Sequence, residues 1–354
     1  MKKTLIAASI AALATGTAQA STTLYESETA SFSTYGKLQL ELQNFDGENH
    51  IQNNGTRLGF SADRQLNHGL EGFANFEFRF NPGVAHNSET QIANTLAGLD
   101  DDTDLDHMTI RYSYLGVRGD FGSVKAGNFD SLTYTFVTSQ ADIMESLGYT
   151  SVDASDRNAH GHTLAYVSPE ISGFTFGLAA KHYSSDKSKN NAALNSASGD
   201  EVFNFQVAAS YQATPELRFA AAFDMNDGDG GYFLDGSGDG QNNDEMIFAV
   251  AANYETDEFF AGVVYENHDK AAFEQIINLT AGYHYGAGSV YALIAFLDNG
   301  DDTGVDFGLG ANYNLGSGVH VYGEFAMGND DASSIKDSEG KGTQAVTLGA
   351  AFTW

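Results

Sequence analysis

Sixteen segments between residue 32 and residue 354 alternate apolar and polar side chains, and the connections between them are by turns short and long. In Phe32 to Gln43, FSTYGKLQLELQ, Leu38, Leu40 and Leu42 fall between Lys37, Gln39, Glu41 and Gln43. A period of two is the signature of a strand with two unlike faces. Segments of this kind are predicted at 32–43, 55–65, 70–81, 107–119, 122–129, 157–168, 173–184, 202–212, 216–226, 244–255, 258–267, 274–285, 288–298, 303–314, 318–328 and 343–354. The connections 66–69, 120–122, 169–172, 213–215, 256–257, 286–287 and 315–317 are short, whereas those between them are long and carry the acidic clusters. Pro82, Pro169 and Pro215 are the only prolines, and all fall in connections, where no ladder hydrogen bond is lost.

An even number of strands with short turns at one end and long loops at the other is what a transmembrane barrel requires. Beyond residue 20 no run is apolar enough for a spanning helix, so a mature chain in a membrane has to be a closed barrel, the other fold that satisfies every backbone group in lipid. At sixteen strands, side chains no longer fill the interior, which holds water. A propeller or β-helix would show a fixed repeat period, and none is found. The expected fold is therefore all-β: a 16-stranded antiparallel transmembrane β-barrel with short periplasmic turns and long external loops. The 39 glycines and 42 Tyr plus Phe residues suit strands joined by tight turns.

Residues 1–20 read as a signal peptide. Lys2 and Lys3 precede an apolar run, and Ala18-Gln19-Ala20 has the form of a cleavage site. Residues 21–354 then form a single barrel domain. Without Lys2 and Lys3 the chain holds 15 basic against 47 acidic side chains, a formal charge of −32, which disfavours nucleic acid and concentrates cations. With no cysteine there is neither a disulfide nor a thiolate.

The fragments YGKLQL, TRLGFSAD, GLEGFANFEFRF, TIRYSYLGVRGDFGSVKAGN and LAYVSPEISGF, in this order, resemble the Gram-negative general porins. The resemblance runs over the whole mature length and implies a homotrimer of outer-membrane barrels for passive diffusion of small hydrophilic solutes. It implies contact with outer-membrane lipid and lipopolysaccharide, and delivery by the barrel assembly machinery. It also implies that the third external loop folds inward. Lys37, Arg57 and Arg111 resemble the family's basic ladder on the pore wall, and Arg157 is added although its spacing from LAY differs. Alternation supports the same face independently: Arg57 is out of phase with Leu58 and Phe60, Arg79 with Phe76, Phe78 and Phe80, and Arg111 with Ile110, Tyr112 and Tyr114. A charge facing lipid near the midplane would cost about 2–4 kcal/mol. Glu77, in phase with Arg79, is expected to pair with it. Asp142 and Glu145 resemble the acidic pair of the third loop, although the Pro-Glu-Phe-Gly-Gly tip of enteric members is absent. Phe352 and Trp354 resemble the C-terminal assembly signal, with Trp in place of the usual Phe.

Other motifs are weaker. Asp235 to Gly240 begins like a Ca²⁺ loop, but position 12 is Met246. His160 and His162 share a face without a third ligand at a defined spacing. Nothing selects a catalytic triad or a phosphate cradle. The expectation is a general pore without cofactor, metal or catalysis, preferring cations. The alternatives are a substrate-specific porin, for oligosaccharides for example, and an adhesin or phage receptor using the external loops.

Overall fold

The computed structural model describes residues 21–80, 108–151, 158–183, 202–225, 246–268, 273–329, 332–337 and 339–354, with the backbone alone at 158–162, 183 and 202. One antiparallel sheet contains β1 Ser21–Glu26, β2 Ala30–Phe45, β3 Glu48–Asn53, β4 Arg57–Gln65, β5 Glu71–Phe80, β6 Met108–Gly119, β7 Gly122–Asp130, β8 Asn158–Val167 and β9 Phe174–Tyr183. It continues through β10 Val202–Gln212, β11 Leu217–Asp224, β12 Ile247–Glu255, β13 Phe259–Asn267, β14 Gln275–His284, β15 Gly288–Asp298, β16 Thr303–Gly316, β17 Val319–Gly328 and β18 Gln344–Thr353. Pairing runs from β4 through to β18, with β9 on β10, and β2 joins β18 to β4. The ring of sixteen is closed, so it has no open edge to satisfy in lipid.

Two of the eighteen strands extend positions of the ring and add none to it. β3 folds back on the upper half of β2, pairing Leu40 with Asn53 and Phe45 with Glu48. Its sequence ENHIQN has too little alternation to register as a strand. β1 pairs with the lower half of β2, Ser21 opposite Tyr35, on the side that β18 occupies higher up. Trp354 closes the rung just above, exchanging backbone hydrogen bonds with Gly36 at 3.1 and 3.2 Å. The sixteenth strand is thus completed by both ends of the described chain.

The two faces follow the alternation. Leu38, Leu40 and Leu42 point outward at about half exposure (49, 51 and 49%), while Gln39 and Glu41 are buried inside. A bulge alters this in β6. Glu77 pairs with Tyr112 and Phe78 with Ile110, so Arg111 is an extra residue. A bulge of one residue reverses the phase beyond it. Tyr112 and Tyr114, expected outward with Ile110, therefore face the lumen, while Ile110 (54%) and Leu115 (67%) lie outside. In β7 Phe129 shares the inward face of Lys125, whose Nζ lies 4.1 Å from its ring centre, and is fully buried.

The third loop follows β7, and its inward fold rests on an exception to the polar lining. A row of lumen-phase positions across β8 to β13 is small and apolar, formed by Ala165, Ala179, Ala208, Ala222, Ala249 and Val264. A short helix α1, Leu132–Phe136, is capped by Ser131, which accepts the Tyr134 N–H at 2.9 Å. Its Leu132 and Phe136, with Val137, pack into that shallow wall and are fully buried. Each such side chain contributes about 1.5–3 kcal/mol. A Cβ at Gly177 would sit 3.1 Å from Leu132, so glycine makes room for the knob. Further on, Met144 packs with Ile247, Ile276 and Leu293 and lies against Gly308. Among the described residues no helix is long and apolar enough to cross a membrane.

Candidate functional site

The register of three strands sets the basic wall. Lys37 is opposite Arg57, and Arg57 is opposite Arg79, so three cations stand abreast on the lumen face. Both arginines make further contacts. Arg111 lies one strand further on, where its bulge turns it inward. Its Nη1 is 2.8 Å from Oε1 of Glu77, which is 1% exposed, and its Nη2 is 3.9 Å from Oδ1 of Asp130. The guanidinium lies 4.4 Å over the Tyr112 ring, and the Tyr112 hydroxyl donates to Asp130 at 2.6 Å. Glu77, expected to serve Arg79, is thus held by Arg111.

The loop acids take different places. Glu145 reaches the first strand of the ladder, with Oε2 2.8 Å from Lys37 Nζ and Oε1 3.7 Å from His320 Nε2. Burial raises the affinity of the Glu145 carboxyl for a proton, but the bond to His320 and the Lys37 charge outweigh it and hold the pKa down at about 2. Asp142 instead accepts the Tyr134 hydroxyl of its own loop at 2.7 Å. The structure therefore brings together Lys37 with Glu145 and Arg111 with Glu77, while Asp142 takes a hydroxyl of its own loop.

The loop tip is held mostly through its main chain. The N–H groups of Glu145 and Ser146 donate to the two oxygens of Glu324 at 2.7 and 2.8 Å, and the Tyr291 hydroxyl donates to Oε1 at 2.7 Å. Asn54 Nδ2 donates to the Glu145 carbonyl at 2.6 Å. The Ser146 hydroxyl donates to Glu41 at 3.2 Å, and Glu41 also accepts the Tyr322 hydroxyl at 2.6 Å. Sequence reasoning missed Glu41 and Glu324 as anchors. Their signal was there: both are carboxylates at lumen-phase positions, where burial demands donors.

Towards the periplasmic turns the same wall is aromatic and basic. Arg118 bridges Asp63, at 2.8 Å, and Glu71, with its guanidinium 5.2 Å from the Phe73 ring centre. Phe73 meets Tyr114 edge-on at 6.3 Å, and Lys125 lies 4.1 Å from the Phe129 ring centre. Phe352 and Trp354 stack at 5.7 Å on the outer face, with the Trp354 ring against Gly36. Arg157, Asp235 to Gly240, and the side chains of His160 and His162 lie outside the described residues. Among the described residues no group of three His, Cys, Asp or Glu could hold a metal ion.

A Gram-negative porin family model matches residues 7–333. Across 98% of both chains this sequence is 26% identical to a protein of Halomonas sp named "Monosaccharide porin". It is 32% identical to outer membrane protein U of Vibrio vulnificus over 43% of this chain and 39% of that one. Among solved structures, OmpT of Vibrio cholerae in a trimer form superposes with a TM-score of 0.65 at 18% identity, over 92% of this chain and 100% of the other. A variant of the Rhodopseudomonas blastica porin does so with a TM-score of 0.59 at 18% identity, over 91% and 100%.

Proposed function

Because this chain belongs to the Gram-negative porin family, we propose that its lumen is a water-filled path for passive diffusion of ions and small hydrophilic solutes, with a preference for cations. The barrel lies in the outer membrane, and fold and family point to a channel rather than an enzyme. The observation that carries the reading is a closed sixteen-strand ring with its third loop pinned inside by Glu324 and Glu41, beside a wall of Lys37, Arg57, Arg79 and Arg111. Such a loop narrows the path without blocking the ring, so size and lumen charge set what passes. Arg157 joins this wall, and Asp142 with Glu145 forms the acidic side. Phe352 and Trp354 serve as the assembly signal read by the barrel assembly machinery. Cleavage after Ala20 releases Ser21 to complete the closing strand. The trimer form of the Vibrio cholerae neighbour supports a homotrimer, set among outer-membrane lipid and lipopolysaccharide.

The test is conductance in planar bilayers with neutral solutes of rising size, together with the reversal potential under a KCl gradient. Ohmic channels with a solute cut-off and cation preference are expected. Absence of channels refutes the pore, and anion preference refutes the charge assignment.

One observation favours a second reading, selectivity for sugars. The bulge at Arg111 turns Tyr112 and Tyr114 inward beside Phe73, and aromatic faces suit the C–H faces of a pyranose. The Halomonas relative's name agrees. Glucose that reduces the current at concentrations where an equal-sized polyol does not, with the effect lost in Tyr114→Ala, supports this reading. Equal effects of the two solutes refute it.

A further inference from the structure

We propose that the eighth external loop forms a second wall of the constriction, clamped into the lumen by Asp306 and braced on the return limb of the third loop by Ser334 and Thr150. This loop connects β17 to β18, and its Ala332, Ser333 and Ile335 are buried inside the ring. Asp306, on the lumen face of β16, is itself fully buried. It accepts the hydroxyls of Ser333 and Ser334, and the Ser334 N–H at 3.1 Å. All three donors come from the eighth loop.

The wall is shaped to receive it. Gly304 on β16 and Gly328 on β17 hold lumen-phase positions where alternation would place a side chain. A Cβ at Gly304 would be 2.6 Å from the Ala332 carbonyl carbon, and one at Gly328 would be 2.7 Å from the Ser333 Cβ. Any larger residue at either position would displace the loop. The loop also closes on itself, with the Ile335 N–H donating to the Ser333 hydroxyl at 3.0 Å and the Thr343 N–H to the Ile335 carbonyl at 3.1 Å.

From this seat the eighth loop touches the third. Thr150 Oγ1 donates to Ser334 Oγ at 2.7 Å. The same limb is fastened to the wall by Asn278 Nδ2 on the Thr150 carbonyl at 2.9 Å, and by Ser151 Oγ on Glu266 at 2.6 Å. Two loops from opposite parts of the sequence therefore share one support. Docking also hides a carboxylate: with the loop away, Asp306 would stand hydrated on the lumen wall. A wider path and a stronger cation preference then arise from the same removal, a combination that loosened packing alone would not produce.

The inference rests on the pore reading, and the experiment keeps their failures apart. In one variant residues 332–341 are replaced by a short Gly-Ser turn; a second is Thr150→Cys/Ser334→Cys, in a chain with no native cysteine. The full-length barrels are compared with the unaltered protein in planar bilayers, after confirming equal resistance to thermal unfolding. The replacement is expected to raise conductance about 1.5-fold or more, enlarge the solute cut-off and increase the cation-to-anion permeability ratio. The cysteine pair is expected to oxidise to an internal disulfide, lost to maleimide labelling until reduced. Normal channels whose conductance and cut-off do not move on replacement, or thiols that stay open to maleimide under oxidising conditions, overturn the inference. An unaltered protein that forms no channel overturns the pore reading itself.

Discussion

Replacing Glu145 by Gln isolates the charge of the third loop from its position. The backbone of Glu145 is held by Glu324 and Asn54, neither of which touches its carboxylate in those bonds. The loop tip should therefore stay in place while the site loses one negative charge and Lys37 loses its partner. For a monovalent ion passing at about 7 Å, one charge in bulk water contributes about 0.6 kcal/mol, close to RT. At 0.1 M salt, with a screening length of about 10 Å, roughly half of that survives. Cations lose this amount and anions gain it, so the cation-to-anion permeability ratio should fall about threefold at 0.1 M. At 1 M, with a screening length of about 3 Å, the change should shrink to roughly 1.2-fold. Reversal potentials in planar bilayers at the two salt levels measure both numbers. A ratio that does not move at 0.1 M, or a shift equally large at 1 M, refutes the reasoning that Glu145 acts as a local charge on the ion path.

Acid should reach this contact late. The Glu145 pKa is lowered from 4.5 to about 2, so its contribution is complete above pH 4.5 and is lost as pH falls towards 2. Maleimide protection of a probe cysteine near the tip should be constant from pH 7 to 5, and loss at pH 5 would contradict the assignment. Glu324→Ala removes the acceptor of two loop N–H groups, at about 1.5–3 kcal/mol each. Hydrogen exchange at Glu145 and Ser146 should then accelerate by about 100-fold or more, with unchanged exchange counting against the anchor. Arg111→Ala strands Glu77 in a buried site and should cost about 3–5 kcal/mol in chemical unfolding of the micellar barrel, while Glu77→Gln/Arg111→Met recovers most of the loss. A double variant no more stable than the single one would show that the pair is not the cause.

Alternation made the ring legible because a strand in lipid cannot hide a wrongly phased side chain. Expected strand ends agree with the structure to within three residues, and Lys37, Arg57 and Arg79 fall in one row as their phase predicted. Phase failed after Arg111, since one inserted residue inverts everything beyond it, and nothing in TIRYSY announces the insertion. That single bulge moved two tyrosines from the lipid side to the pore side. The path of the third loop was hidden for another reason. Its guides are Ala165, Ala179, Ala208 and Ala222, which read as neutral positions in their own strands and form a dock only when four strands stand side by side. The pairing of Glu145 with Lys37, 108 residues apart, likewise depends on ring closure.

The joint between β18 and β1 has a consequence for how the chain could be rewired. Trp354 occupies the rung of Gly36 and Ser21 that of Tyr35, with both segments running the same way along β2. Consecutive rungs are about 3.3 Å apart along a strand. A peptide bond from Trp354 to Ser21 would therefore continue a strand already in place, and new termini could be opened in one of the short periplasmic turns. In such a circular permutant the ring would close at a different seam with the same lumen inside it. The seam at β18 and β1 marks where the chain happens to be cut, while the pore belongs to the cycle of pairings around it.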